Sequence, residues 1–186
     1  GTTLELEQVL TRLRLPTILA NIARGEKVLI YTHLVEGITK ELLDAIKKLK
    51  SPRFDAALQG IAGDARQPLA LRLKALDAAR NVKLTGDTFT MVKGVLADAA
   101  SSAAAKIQAA GMVTAAPLDK ERLLEIAPLF ATLGPVELKM LLPLMKKSKD
   151  ADVARAISRE IAKNPAIASQ QESHYRTALA DQPVDI

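Results

Sequence analysis

The feature that most constrains the fold is the segment PLALRLKALDAARNV, residues 68–82, in which apolar residues fall on two faces of a helix. At 100° per residue the two stripes are Leu69, Leu73 and Leu76 on one side, and Leu71, Ala75, Ala78 and Val82 roughly opposite. A helix on the rim of a globule needs one apolar face, whereas a helix between two neighbours needs two. The segment therefore predicts a helix that packs on its pair-mate and also on the next helix pair.

Two later segments repeat this pattern. In ERLLEIAPLFATLG we expect an inward set comprising Leu123, Leu124, Ile126, Ala127, Phe130 and Leu133. In ADVARAISREIAKN the inward set is Val153, Ile157 and Ile161. Prolines 128 and 143 fall inside helical patterns, and each removes a backbone donor, so we expect both helices to kink.

The composition favours a helical interior. Hydrophobic residues make up 48% of the 186 residues but aromatic residues only 3%, so the core consists mainly of Leu, Ile, Val and Ala. Such a core favours closely spaced helices over a β-sandwich. No apolar run reaches 18 residues, and we expect no membrane insertion. The absence of cysteine excludes disulfides, thiolate metal sites and covalent c-type haem attachment within these residues, and leaves the compartment open.

Helix boundaries are marked by local signals. We expect helices at about 4–14, 16–24, 26–49, 52–62, 68–82, 86–98, 100–112, 119–132, 135–147, 151–163 and 166–180. Ser51 precedes a first-turn proline, and Asp87, Asp119 and Asp150 place carboxylates at helix starts. The stretch EKVLIYTHLV, residues 26–35, has some strand character but continues into a helical pattern, so we interpret it as helix.

The spacing of these starts predicts a repeat. Ser51, the 85–87 start, Asp119 and Asp150 follow one another at about 31 to 35 residues, with room for two helices in each interval. The fold class is therefore expected to be all-α, an α-solenoid of stacked antiparallel helix pairs. Residues 1–50 would form an N-terminal helical cap or partial repeat, and residues 51–186 about four helix-pair repeats packed with it as one domain.

A resemblance to a known family agrees with this expectation. From about Ser51 to Val184 the chain resembles degenerate HEAT-type repeats, on the strength of PLALRLKALDAARN and the run LLEIAPLFATLGPVELKMLLPLMKKSKDADVARAISREIAKNP. It is similar to helical-repeat segments of large multidomain bacterial proteins that also carry a dehydrogenase-like propeller and a c-type cytochrome domain. The chain has neither the propeller nor a Cys-x-x-Cys-His motif, so the resemblance implies a HEAT- or armadillo-like array and no redox chemistry.

The histidines and a glycine-containing loop do not predict a site. His33 and His174 are isolated, without the spacing of metal ligands, and we expect neither to bind a metal. The stretch GIAGDA, residues 60–65, lacks the Gly-Lys-Ser/Thr ending and the preceding strand of a phosphate loop. We expect no bound cofactor.

Paired carboxylates are the remaining catalytic candidates. Glu5 with Glu7 and Glu121 with Glu125 have the residue type needed for acid–base chemistry, but helical spacing places the second pair on a polar, solvated face. We therefore expect a protein that is not an enzyme. An acidic site assembled across repeats is the hypothesis from a different class, and a buried carboxylate cluster would favour it.

Basic clusters at two helix ends are the candidate contact sites for an anion or a partner. They comprise Lys47, Lys48, Lys50 and Arg53, and Lys146, Lys147 and Lys149. Lysines at a helix C-terminus also complement the helix dipole without any ligand. We expect a non-enzymatic scaffold that contacts another protein or a neighbouring domain. The alternative is binding of a nucleic-acid phosphate backbone, which the net charge of +5 permits. Aromatic residues for base stacking do not accompany the lysines.

Overall fold

The computed structural model describes residues 32–148 and 150–169, and every regular element in those ranges is helical. The α-helices are α1 (Thr32–Leu49), α2 (Asp55–Gly63), α3 (Leu69–Ala78), α4 (Gly86–Ala97), α5 (Ala103–Ala115), α6 (Lys120–Ile126), α7 (Pro135–Leu141), α8 (Pro143–Ser148) and α9 (Ala151–Ile161). Short 3₁₀ segments lie at Pro52–Phe54, Ala127–Ala131 and Pro165–Ser169. The all-α prediction is confirmed. The helices expected at 4–14 and 16–24, and most of 166–180, fall outside the described residues.

Local capping chemistry sets several helix starts. The Asp119 carboxylate accepts from the Arg122 backbone N–H at 2.9 Å, and that of Asp150 accepts from Asp152 at 2.9 Å. At α4 the Thr88 hydroxyl accepts from the Thr85 N–H at 2.8 Å, while Asp87 lies in the first turn. The Ser51 side chain makes no cap hydrogen bond, and only a 3₁₀ turn follows it.

Both internal prolines interrupt their helices. The α6 helix passes into 3₁₀ geometry at Ala127, directly before Pro128. The helix expected at 135–147 breaks at Leu142, so Pro143 begins α8 as a separate helix. Proline lacks the N–H that an α-helix requires in its interior, which accounts for both interruptions.

The two-stripe interpretation of residues 68–82 is partly wrong. Leu73 and Leu76 are buried and Leu71 is half-buried, but Leu69 is 46% exposed. The helix also ends at Ala78, so Val82 lies in the following coil. Leu124, expected to point inward from α6, is 36% exposed. Periodicity assigns a residue to a face but does not say how far the neighbouring helix covers that face.

The first compact unit reaches Lys83 and contains α1, α2 and α3. Helix α3 packs on both α1 and α2, around a core that includes Leu43, Ile46, Leu58, Ile61 and Leu76. The predicted boundary between residues 1–50 and 51–186 falls inside this unit. The arrangement of a cap and about four repeats in one packed domain stays a prediction.

Polar contacts join the helices of this unit. Lys74 Nζ lies 2.8 Å from the carboxylate of Asp44, and Lys47 Nζ lies 2.7 Å from that of Asp77, so two ion pairs link α1 to α3. The Arg72 guanidinium donates to the Ala62 carbonyl at the end of α2 at 2.9 Å. This hydrogen bond satisfies a carbonyl that the helix itself leaves without a donor.

The loop after α3 is held by one carboxylate. Asp55 accepts from the backbone N–H groups of Arg80 and Asn81, at 2.9 and 3.3 Å. These bonds stabilise extended backbone directly after Ala78. They satisfy two backbone N–H groups that would otherwise donate to carbonyls of a continuing helix.

The second compact unit begins at Leu84 and contains α4 to α9. Helix α4 packs on α5, α5 on α7, and the 3₁₀ segment Pro165–Ser169 on α7. Helix α6 with its 3₁₀ extension packs on α9, and α8 packs on α6 and α9. The core includes Ile126, Phe130, Leu138, Leu141, Leu144, Met145 and Ile157. Helices α5, α8 and α9 thus each contact a sequence neighbour and also a helix that is not adjacent to them in sequence.

Buried Asn164 links two segments of this unit through its side-chain amide. Its Nδ2 donates to the carbonyls of Phe130 and Leu133, at 2.6 and 2.9 Å, and its Oδ1 accepts from the Ala166 N–H at 2.8 Å. The residue is only 2% exposed. The segment after α9 is therefore anchored to the segment after α6 through a fully satisfied amide.

Candidate functional site

The first basic cluster surrounds the end of α1 and is solvent-exposed. Lys47 and Lys48 lie in the last turn of α1, Lys50 follows the helix, and Arg53 lies in the 3₁₀ segment Pro52–Phe54. Lys47 is engaged with Asp77, so a structural ion pair accounts for this side chain. Lys50 has a φ of 49°, which puts a lysine where a helix C-terminus usually places glycine.

The second basic cluster lies at the end of α8. Lys146 is exposed, Lys147 lies within the α8 range, and Lys149 falls outside the described residues. The two clusters belong to different compact units. Contact of either cluster with an anion or partner stays a prediction.

Of the catalytic candidates, only Glu121 and Glu125 have side chains that the structure describes. His33 lies within α1, but its side chain is not among those that the structure describes. Glu5, Glu7 and His174 lie outside the described residues. Glu121 and Glu125 are both exposed on α6, and Glu125 pairs with Lys93 at 2.6 Å. Over the described residues, no group of three or more His, Cys, Asp or Glu side chains is placed to hold a metal ion.

Three carboxylates have lowered pKa values, which do not suit a general acid. A hydrogen bond from Lys74 lowers the pKa of Asp44, and one from Lys120 lowers the pKa of Asp150. Hydrogen bonds from Arg66 lower the pKa of Asp64 from 3.8 to about 2. A general acid at neutral pH needs a raised pKa, so these three carboxylates remain ionised acceptors. Asp64 is also the residue of GIAGDA that directly follows α2, where it pairs with Arg66 instead of forming a phosphate loop.

An open cleft of about 400 Å³ lies between the end of α5, α6 and α8. Its lining residues are Ala115, Ala116, Pro117, Leu118, Leu123, Leu144 and Ser148. None of these side chains ionises, so the cleft can accept an apolar group but offers no acid, base or charged ligand.

Helices α5 and α7 pack side by side. A Cβ placed on Gly111 would lie 3.7 Å from Met140 Cε, and Met140 follows Gly111 by 29 positions. Leu144 follows Ala115 by the same 29 positions, and both line the cleft. A shared offset at successive turns is the pattern that two parallel helices give, and we infer that α5 and α7 run in the same direction.

The same offset brings two exposed aliphatic residues together. Ile107 lies one turn before Gly111, and Val136 lies one turn before Met140. Ile107 is 39% exposed and Val136 is 50% exposed. From this offset we infer that Ile107 lies beside Val136 at the N-terminal end of the α5–α7 seam.

Charge is distributed unevenly among the helices of the second unit. In the sequences of α4, α6 and α9, acidic and basic residues are equal in number. The sequences of α5, α7 and α8 contain Lys106, Lys139, Lys146 and Lys147 against a single carboxylate, Glu137. Glu137 is buried, with 7% exposure, so α5, α7 and α8 expose lysines but no carboxylate within their described side chains.

Comparison with known protein families, with curated proteins and with solved structures gives no match. Sequence reasoning identified the lysines at the helix ends but missed the α5–α7 seam. A count of charged residues in each helix would have indicated this seam, because α5, α7 and α8 carry an excess of lysine whereas α4, α6 and α9 have balanced charges.

Proposed function

We propose that the chain is a non-enzymatic HEAT-like α-solenoid whose stacked helix pairs hold a protein partner or a neighbouring domain. The observation that carries the proposal is the separation of its interhelical ion pairs. Lys74–Asp44 and Lys47–Asp77 each join residues 30 positions apart. Lys93–Glu125 and Lys120–Asp152 each join residues 32 positions apart. One helix pair is about this long, so side chains repeatedly reach the equivalent helix of the next pair.

The packing order within each unit supports the same arrangement. In the first unit α3 contacts α2 and also α1, and in the second unit α5 contacts α4 and also α7. Helix α9 contacts α8 and also α6. In a two-layer array each helix is expected to contact its pair-mate and the corresponding helix of the next pair. Contacts alternate in this way within each unit taken separately.

Side chains also link α4 to α6, which the proposal treats as equivalent helices of successive pairs. The Arg122 guanidinium lies 5.4 Å from the centre of the Phe89 ring and donates to the Leu84 carbonyl. Lys93 lies 5.5 Å from the same ring and pairs with Glu125. These side chains serve interhelical packing, which is the role expected of charged residues in a scaffold.

Phosphate-backbone binding is the second candidate, because Lys48, Lys50 and Arg53 are exposed within one short stretch. Neutralising phosphates with lysine and arginine gives binding that weakens steeply as salt rises. The Lys47–Asp77 pair reduces the positive charge of this stretch. We therefore rank nucleic-acid binding below protein binding.

Two measurements on the full chain test this proposal. Cross-linking in the cells that naturally produce the chain should recover a protein partner, which rebinds the purified chain at about 150 mM salt, where exposed charge pairs are screened beyond about 8 Å. Fluorescence anisotropy with duplex DNA should detect no binding at low salt. Failure to recover and rebind any protein would contradict the scaffold. Salt-sensitive duplex binding that is lost in K48E/K50E would support the second candidate instead.

A further inference from the structure

The exposed aliphatic residues of the second unit are concentrated on one group of helices. Ile107 lies on α5, Val136 on α7 and Ile167 in the 3₁₀ segment Pro165–Ser169, and α7 packs against both of the other elements. Isolated exposed aliphatic residues are common on protein surfaces and need no explanation. Exposed aliphatic residues that lie side by side on packed helices form a continuous apolar surface.

The register of α5 against α7 brings the exposed aliphatic residues of these two helices together. The 29-residue offset places Ile107 beside Val136, and one turn further on Met140 lies against Gly111. Met140 is half-buried, and its main-chain carbonyl accepts from the Thr114 hydroxyl at 3.1 Å, which fixes the two helices in this register. We call the surface formed by Ile107, Gly111, Val136 and Met140 the α5–α7 strip.

Positive charge flanks this strip. Lys139 is exposed on α7 and Lys106 is half-buried on α5, while the sole carboxylate of α5, α7 and α8, Glu137, is buried. A negatively charged partner therefore meets no exposed carboxylate from these helices. The neighbouring α6 helix provides a contrast, because it also exposes an aliphatic residue, Leu124, among balanced charges.

We infer that the α5–α7 strip binds an acidic amphipathic helix, whose apolar side chains cover Ile107, Val136 and Met140 while its carboxylates face Lys106 and Lys139. Apolar anchors spaced over two turns match the helix-in-groove mode of recognition. A phosphate backbone offers no apolar groups to cover the strip, so charge and hydrophobicity together favour the acidic helix. The inference depends on the proposed scaffold function and specifies the chemistry of its partner.

A designed peptide serves as the probe. It is a fluorescein-labelled, acetylated and amidated helix of about 18 residues, or about 27 Å, with Leu on one face and Glu and Ala elsewhere. Its controls are a version with Lys in place of Glu and a scrambled version of the same composition. Binding to the full chain is measured by fluorescence anisotropy at about 150 mM salt, at which long-range attraction between exposed charges is largely screened.

Matched variants test which surface the peptide uses. I107E/V136E places carboxylates in the strip, K139E reverses one flanking charge, and L124E makes the same aliphatic-to-glutamate change on α6. All four positions are exposed, so each variant should retain the circular dichroism spectrum and melting temperature of the parent chain. We expect I107E/V136E to weaken binding about tenfold or more and K139E about threefold, because unpaired carboxylates meet the peptide's own negative charge. Binding by L124E should stay within about twofold of the parent.

Several results would overturn this assignment. These are no binding of the acidic peptide, equal binding of the Lys peptide, or undiminished binding by I107E/V136E. Duplex DNA or phosphatidylserine vesicles that bind in place of the peptide, and lose binding in I107E/V136E, would also overturn it. A cross-linked natural partner that contacts α4, α6 and α9 instead would reject the strip but retain the scaffold. The absence of any protein partner would reject the proposed function itself.

Discussion

Replacing Asn164 tests how firmly the segment after α9 is joined to the segment after α6. The Asn164 amide gives both of its donor hydrogens to buried carbonyls, those of Phe130 and Leu133, and accepts from Ala166. Asn164→Ala removes all three bonds at a residue that is 2% exposed. A buried polar group that loses its partner costs about 1 to 3 kcal/mol. With the lower figure for each of the two buried carbonyls, we expect the free energy of unfolding to fall by about 2 kcal/mol.

A second substitution at Asn164 separates hydrogen bonding from side-chain volume. Asn164→Asp keeps the size of the side chain but points a carboxylate at the Phe130 and Leu133 carbonyl oxygens, so the folded state should raise the pKa of that Asp. The destabilisation is therefore greatest above the folded pKa and shrinks as pH falls, because the protonated carboxyl can again donate one hydrogen bond. A simple loss of packing volume would give no such pH dependence.

Urea unfolding followed by far-ultraviolet circular dichroism measures both variants. The control is Asn81→Ala, since Asn81 is exposed and its amide donates to the Asp55 carboxylate 26 residues away, at 2.9 Å. We expect the control to change stability by about 0.5 kcal/mol or less. A loss for Asn164→Ala no greater than that of the control would refute the role assigned to Asn164.

Three further substitutions test separate features. Lys50→Gly should stabilise the chain by about 1 kcal/mol in urea unfolding, because glycine tolerates the φ of 49° that strains lysine; lower stability would contradict this. Gly94→Ala should raise stability by about 0.5 to 1 kcal/mol in the same assay, because no atom lies within 4 Å of the added Cβ and alanine favours the helix; destabilisation would indicate strain there. At neutral pH, Asp64→Asn should have its unfolding midpoint at a lower urea concentration than the parent chain. The pKa of Asp64 is lowered from 3.8 to about 2, so its contribution is complete above the unfolded pKa and is lost as pH falls through about 2. Urea midpoints for the two proteins should therefore converge across that range, and a constant gap would exclude the Arg66 interaction as the cause.

The parts of the fold that were predicted correctly depend on short-range chemistry. Asp119 and Asp150 start helices because a carboxylate accepts from backbone N–H groups two or three residues ahead. Pro128 and Pro143 interrupt helices because proline lacks a donor. These signals involve only neighbouring residues and can be read from sequence alone.

The parts that were wrong or missed depend on distant residues. The α3 helix stops at Ala78 because Asp55, far back in the sequence, binds the N–H groups of Arg80 and Asn81. Leu69 and Leu124 have helical periodicity, but no neighbouring helix fully covers them. Burial of such positions is set by packing and not by local pattern.

The candidate surfaces also divide into those set by neighbouring residues and those set by distant residues. The helix-end lysines were identifiable from sequence, whereas the pairing of Lys47 with Asp77 could be seen only once α1 and α3 were placed together. The α5–α7 strip required the 29-residue register, which Gly111 and Met140 reveal and the sequence pattern does not.

Distances between spin labels test the parallel stacking of alternate helices most directly. The chain has no cysteine, so labels can be attached at I107C/V136C and at I107C/K146C without background. Positions 136 and 146 lie ten residues apart, on α7 and on α8 beyond the break at Leu142, so the advance is at most about 15 Å. Pulsed dipolar spectroscopy should therefore give a distance for the 107–146 pair that exceeds the 107–136 distance by about 10 Å or more. A shorter 107–146 distance would place α5 and α7 antiparallel and contradict the stacked-pair arrangement.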